Sequence, residues 1–162
     1  MVGAHTSSVF LQTPFRETYG AFSPDGRWVA YNSNASGRTE VYVRPFVPPG
    51  AAGTAAAETS GQWQVSTAGG ISPTWRPDGK ALYYLNPAGD MMTAPITVVG
   101  ATLEPGAPAM LFPTRIVGGG VDTQLGRQYD VAPDGRFLIN TETAGTAAPI
   151  TLIQNWRPEA KR

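Results

Sequence analysis

One phrase occurs three times along these 162 residues. Ser23-Pro24-Asp25-Gly26-Arg27-Trp28-Val29-Ala30-Tyr31 is echoed by Arg76-Pro77-Asp78-Gly79-Lys80-Ala81-Leu82-Tyr83-Tyr84, and again by Ala132-Pro133-Asp134-Gly135-Arg136-Phe137-Leu138-Ile139-Asn140. The glycines stand 53 and 56 residues apart (26 to 79, 79 to 135), which predicts a protein built from repeated units. Each phrase is a tight turn with a mechanism. Proline presets φ, aspartate accepts a bond from its own downstream backbone N–H, and glycine takes the positive φ that closes the corner. The turn aspartates Asp25, Asp78 and Asp134 are therefore read as turn-formers rather than as a catalytic or metal-binding trio. The apolar run after each turn shows little alternation, which suits a strand buried on both faces.

Around the turns, the chain divides into three units covering approximately 18–66, 71–112 and 127–156, which together make one domain. The first carries strands at Thr18 to Phe22, Arg27 to Ser33, Thr39 to Phe46 and Gln62 to Ser66. The second repeats the order at Ile71 to Trp75, Lys80 to Leu85, Asp90 to Ile96 and Met110 to Phe112. The third ends after three strands, the last at Pro149 to Trp156. A further short strand at Val9 to Thr13 brings the total to twelve. With 19 glycines and 15 prolines, turns are favoured over long helices, so the class is all-β. Four strands per unit at this spacing predict a β-propeller of three four-stranded blades. The aromatic residues Trp28, Trp63, Trp75, Tyr31, Tyr42, Tyr83, Tyr84 and Phe137 fall on strands and are assigned to the core between blades.

Three blades cannot close a ring, and an open one would leave sheet faces and edges exposed. The expectation is a two-fold homodimer of six blades, with each chain lending Val9 to Thr13 to complete the last blade of the other.

These residues resemble a known repeat. Phe22-Ser23-Pro24-Asp25-Gly26-Arg27-Trp28-Val29-Ala30-Tyr31 with Glu40-Val41-Tyr42-Val43 is similar to the Pro-Asp-Gly β-propeller repeat of TolB-like proteins, a relative of the WD-type propellers. Pro73 to Lys80 and the ending Ile150 to Trp156 look like the C-terminal blades of propellers that bacteria attach to membrane serine/threonine kinases as sensor domains. The resemblance implies a binding module whose parent family is periplasmic or extracytoplasmic. Two departures stand out: three blades instead of the family's usual six or seven in one chain, and none of the kinase motifs.

Twelve basic and twelve acidic side chains balance, giving no electrostatic case for nucleic acid. There is no cysteine for disulfides or thiolate zinc sites. No apolar run is long enough to span a bilayer, and the start Met1-Val2-Gly3-Ala4-His5 carries no export-signal pattern, so a soluble chain is expected.

Propellers bind ligands at the channel mouth, on the loops joining consecutive blades and those between second and third strands. Here these loops, with the inner strands, bring Arg16, Glu17, Tyr19, Arg38, Thr74, Asp90, Arg115, Asp122, Arg127, Tyr129 and Asp130. The ligand-binding candidates are Arg16, Glu17, Tyr19, Arg38, Asp90, Arg115, Arg127 and Tyr129, for a protein or small-molecule ligand. Paired arginines would hold an anion, and converging carboxylates a divalent cation on the channel axis. The alternative is a hydrolase of activated esters or phosphoesters using His5, Glu17, Asp122 or Asp130 to activate water. The binding module is the favoured reading, because no nucleophile–base pair can be named. Gly118-Gly119-Gly120 lacks the lysine and helix of a phosphate loop.

Overall fold

The computed structural model describes residues 9–48 and 61–142. Three antiparallel sheets follow one another along the chain. The first, in the order β1-β2-β3-β4, is built from Glu17–Phe22 (β1), Trp28–Ser33 (β2), Glu40–Pro45 (β3) and Trp63–Gln64 (β4). The second contains Ile71–Trp75 (β5), Ala81–Leu85 (β6), Met91–Val99 (β7), Thr102–Pro105 (β8) and Ala109–Phe112 (β9). Its β7 pairs with β6, β8 and β9. In the third, Tyr129–Val131 (β10) pairs with Phe137–Ile139 (β11). No sheet is closed. No described helix is long and apolar enough to cross a membrane.

The three Pro-Asp-Gly turns share two bonds. Gly26, Gly79 and Gly135 take φ of 70°, 73° and 84°, and their N–H groups donate to the carbonyls of Ser23, Arg76 and Ala132. The Asp25, Asp78 and Asp134 carboxylates accept the N–H two residues on, at 3.1, 2.9 and 3.2 Å. The aspartates thus satisfy backbone donors that the turn would otherwise leave open.

The unalternating strands are explained by stacking. In β6, Leu82 and Tyr84 pack toward the first sheet, in a core with Trp28, Ala30, Val41, Val43 and Trp75. Tyr83 and Leu85 pack the other way, with Met91, Ile116 and Tyr129. A central sheet apolar on both faces needs a neighbour on each side, and the hydrophobic free energy of both contacts favours the layered arrangement. Trp28 meets Trp63 edge-to-face at 5.5 Å, and Tyr83 meets Phe137 in the same way at 4.9 Å.

Two features differ from the sequence expectation, and a third lies beyond the described residues. Within the single chain Val9 to Thr13 form no strand; Phe10 packs on Phe46 at 5.8 Å, and Val9 to Leu11 line a hollow with Val29 and Tyr31. The second unit has five strands, because β7 runs past Ile96 into a hairpin turned at Gly100 (φ 62°). Its return strand β8 buries Leu103 completely against the first sheet's core. The expected third strand of unit three, at Pro149 to Trp156, lies outside the described residues, and so does His5.

Burial of tyrosines links this packing to pH. Burial raises the phenols of Tyr31 and Tyr84 from 10.0 to about 12, and pushes Tyr129 higher still. A folded-state value above the unfolded one contributes stability that is present below pH 10.0 and is lost as pH rises toward about 12. We expect phenolate absorbance from these residues to appear together with loss of circular dichroism in that window. Titration of all six tyrosines near 10.0 with the fold intact would contradict it.

Candidate functional site

The first strands of the first two sheets carry a repeated distortion. β1 and β5 each lose register once, between Thr18 and Ala21 and between Ile71 and Thr74. Tyr19 (φ 57°) and Ser72 (φ 56°) sit in these bulges, each six residues before its turn aspartate (19 to 25, 72 to 78). Side chains bearing Cβ rarely occupy this region, and such strain persists only where surrounding bonds enforce it. Here Asn32, buried to 1% exposure, enforces both: its Nδ2 donates to Thr18 Oγ1 at 2.7 Å and its Oδ1 accepts Ser72 N–H at 3.1 Å. In the third unit the equivalent residue is Gln128, and β10 pairs with β11 without a shift.

The bulges aim carbonyls at residues of the third unit. The Arg127 Nη2 donates to the carbonyls of Pro73 at 3.0 Å and Tyr19 at 3.4 Å. Tyr129, buried, donates its phenol to the Ser72 carbonyl at 2.7 Å and lies 3.1 Å from that of Tyr83. Beyond them, Tyr19 donates to Asp122 Oδ1 at 2.8 Å, and Arg16 pairs with Asp122 Oδ2 at 2.8 Å. Asp122 Oδ1 also accepts Gln124 N–H at 3.0 Å, and Gln124 is itself at φ 61°. All three non-glycine residues with positive φ among the described residues therefore belong to this cluster. Burial and the bond to Asp122 raise the Tyr19 phenol, so it remains the donor in that pair.

Arg16, Tyr19, Asp122, Arg127 and Tyr129 are thus brought together from the start of β1, the loop at Asp122 and the start of β10. Arg127 has no carboxylate within 4.0 Å among the described residues, and its buried Nε lacks a hydrogen-bond partner among them. Asp122, with both oxygens engaged, is a fixed acceptor rather than a free base. Glu17 stands at the edge, accepting Thr13 Oγ1 at 2.6 Å and Ser33 Oγ at 3.2 Å.

Other candidates are placed elsewhere. Asp90 closes the Asn86–Gly89 turn by bonding Asn86 Nδ2 at 3.0 Å. Arg115 lines a separate hollow with Phe112 and Glu142. Asp130 is exposed and accepts the N–H of Val131. No group of three or more His, Cys, Asp or Glu side chains converges among the described residues.

Arg38 leads to a residue that sequence reasoning missed. Its Nε lies 2.5 Å from Oε1 of Glu40, a carboxylate with no exposure at all. Glu40 also accepts Ser66 Oγ–H, and Gly69 N–H at 3.0 Å from both oxygens. This cluster fastens the start of β3 to the connection between the first two sheets. The triple glycine has a structural role too. A Cβ at Gly120 would lie 1.8 Å from the Asn86 carbonyl, so only glycine lets this loop lie on the Asn86–Gly89 turn.

No protein-family model matches this chain, and no curated protein matches it significantly. What the fold and site define is an all-β, sheet-stacked protein with a strained polar cluster beside the first strands of its first two sheets.

Proposed function

We propose that the chain is a β-propeller binding module, two copies of which close one six-bladed ring with the ligand site at the end of the innermost strands. The observation that carries the reading is the convergence of Arg16, Tyr19, Asp122 and Arg127 on two matching strained bulges. Strained backbone concentrates at binding and catalytic sites because folding alone does not favour it. The similarity of the repeated phrase to TolB-like propellers supports the ring, and implies a place outside the cytoplasm. The exposed apolar residues Val9, Phe22, Leu125 and Leu138 support a partner surface.

The ligand is a small anion or an anionic group on a protein. Asp122 is neutralised by Arg16, whereas Arg127 holds a guanidinium bonded only to neutral carbonyls, and a guanidinium presents a fork suited to carboxylate or phosphate. Two-fold symmetry would place a second Arg127 around the same axis. The test is thermal unfolding with and without inorganic phosphate. The parent chain gains stability from phosphate, and Arg127→Ala, although less stable at baseline, gains none. An equal gain in both would overturn the site.

A further inference from the structure

The third hairpin is paired one residue out of step with the other two. The first turn is closed by Ser23 N–H on the Trp28 carbonyl and the second by Arg76 N–H on that of Ala81, five residues on in each case (23 to 28, 76 to 81). Ala132 N–H donates instead to the Arg136 carbonyl, four residues on (132 to 136). Phe22 therefore stands opposite Val29 and Trp75 opposite Leu82, whereas Val131 stands opposite Phe137 and not opposite the equivalent Leu138. A slip of one residue turns every side chain of a strand to the other face.

The faces are exchanged accordingly. In the first two sheets, residues two and four places after the turn glycine point toward the next unit: Trp28 and Ala30 enter the core shared with the second sheet, and Tyr83 enters the core beneath the third. The residue between them points back, as Leu82 does onto the first sheet. In the third hairpin Phe137 and Ile139 pack back on the second sheet, and Leu138 is 77% exposed. Only β11 is turned, because Val131 packs back on the second sheet as Trp75 does on the first.

In this register the third sheet ends the stack. Its outward residues Asp130, Leu138 and Asn140 are mostly polar, as on the terminal unit of a stacked array. The hydrophobic pattern does not pin the register, since Phe137, Leu138 and Ile139 are all apolar and either pairing gives the second sheet an apolar face. In the register of the other two hairpins, Leu138 would pack on the second sheet, and Phe137 and Ile139 would face outward. The chain also carries a face that matches them. Trp75, Leu82 and Tyr84 receive Trp28 and Ala30, and their equivalents in the first sheet are Phe22, Val29 and Tyr31. Among the described residues the first sheet packs on the second alone, Phe22 is 59% exposed, and a hollow of about 390 Å³ lies beside Val29 and Tyr31.

We infer that the third hairpin is a register switch. The observed register caps a lone chain, and a shift of β11 by one residue turns Phe137 and Ile139 onto the Phe22, Val29 and Tyr31 face of a second copy. The inference rests on the reading that two chains close one ring, and adds the change that creates the joining face.

The chain has no cysteine, so an introduced pair reports one register cleanly. Directly opposite residues of an antiparallel pair lie about 4.5–5.5 Å apart at Cα, within disulfide reach. Asp130→Cys with Leu138→Cys locks the observed register, in which those residues are opposite. Val131→Cys with Leu138→Cys locks the shifted one, and both pairs keep Phe137 and Ile139. After oxidation, with the bond shown by peptide mapping to lie within one chain, light scattering should give a folded particle of 17.1 kDa for the first lock and twice 17.1 kDa for the second. Reducing the first lock should restore twice 17.1 kDa. Equal masses for the two oxidised chains, or failure of the second pair to form its bond within one chain, would overturn the inference. So would a first lock that stays small after reduction beside a doubled parent, since the substitutions and not the register would then hold the chains apart. The parent chain separates the two ideas. A doubled parent with both locks doubled keeps the ring and removes the switch, whereas a parent of 17.1 kDa with only the second lock doubled keeps the switch and removes ring closure by the unaltered chain.

Discussion

Glu40→Ala is expected to destabilise the protein by about 3–5 kcal/mol, which for a chain of this size lowers the melting temperature by roughly 10 °C. The carboxylate is wholly buried, and removing it strands the Gly69 N–H and the Ser66 hydroxyl without partners. A buried donor left alone forfeits its desolvation energy in full, unlike a pair deleted together. The guanidinium that shares the cluster behaves differently. Arg38 is 61% exposed, so Arg38→Ala should cost no more than about 1 kcal/mol. The contrast between the two variants, read from denaturant or thermal melts, is the measurement. Equal effects would mean that the ion pair, rather than the buried bonds to Ser66 and Gly69, holds this corner.

Leu103→Ala is expected to cost about 3 kcal/mol, as deletion of a fully buried leucine does when the surrounding core cannot collapse. Leu103 has no exposure and packs with residues of both the first and second sheets. Val99, at the tip of the same hairpin, is 60% exposed, and Val99→Ala should change stability by less than about 0.5 kcal/mol. Should Leu103→Ala match Val99→Ala, the hairpin would be an ornament of the second sheet and not a fastening between sheets.

These two residues also mark where sequence was legible and where it was not. The turns were readable because proline, aspartate and glycine each act within a few residues of themselves, and the structure repeats their bonds three times. The two-faced burial of Ala81 to Leu85 was readable from its lack of alternation. Glu40 was not, since it looks like any strand-initiating acid until Ser66 and Gly69, more than twenty residues away, close around it. Leu103 was not, since the hairpin that carries it is turned at Gly100, beyond the strand end expected at Ile96. Val9 to Thr13 form no strand within one chain, where the edge expected for them is another copy's.

The candidate cluster divides in the same way. Arg16, Asp122 and Arg127 were named for their loop positions and Tyr19 and Tyr129 for their strand positions, and the fold places the five side by side. Arg38, Asp90 and Arg115 met the same criterion but are committed elsewhere. Position along a repeat indicates which end of a sheet a side chain occupies, whereas its direction depends on bulges such as those at Tyr19 and Ser72, which no local motif announces.

The central claim, that two chains close one ring, is tested most directly by light scattering on the purified chain across a dilution series. The account predicts a particle of twice 17.1 kDa that persists on dilution. A folded particle of 17.1 kDa would contradict it, and with it the shared axis on which the proposed ligand site depends.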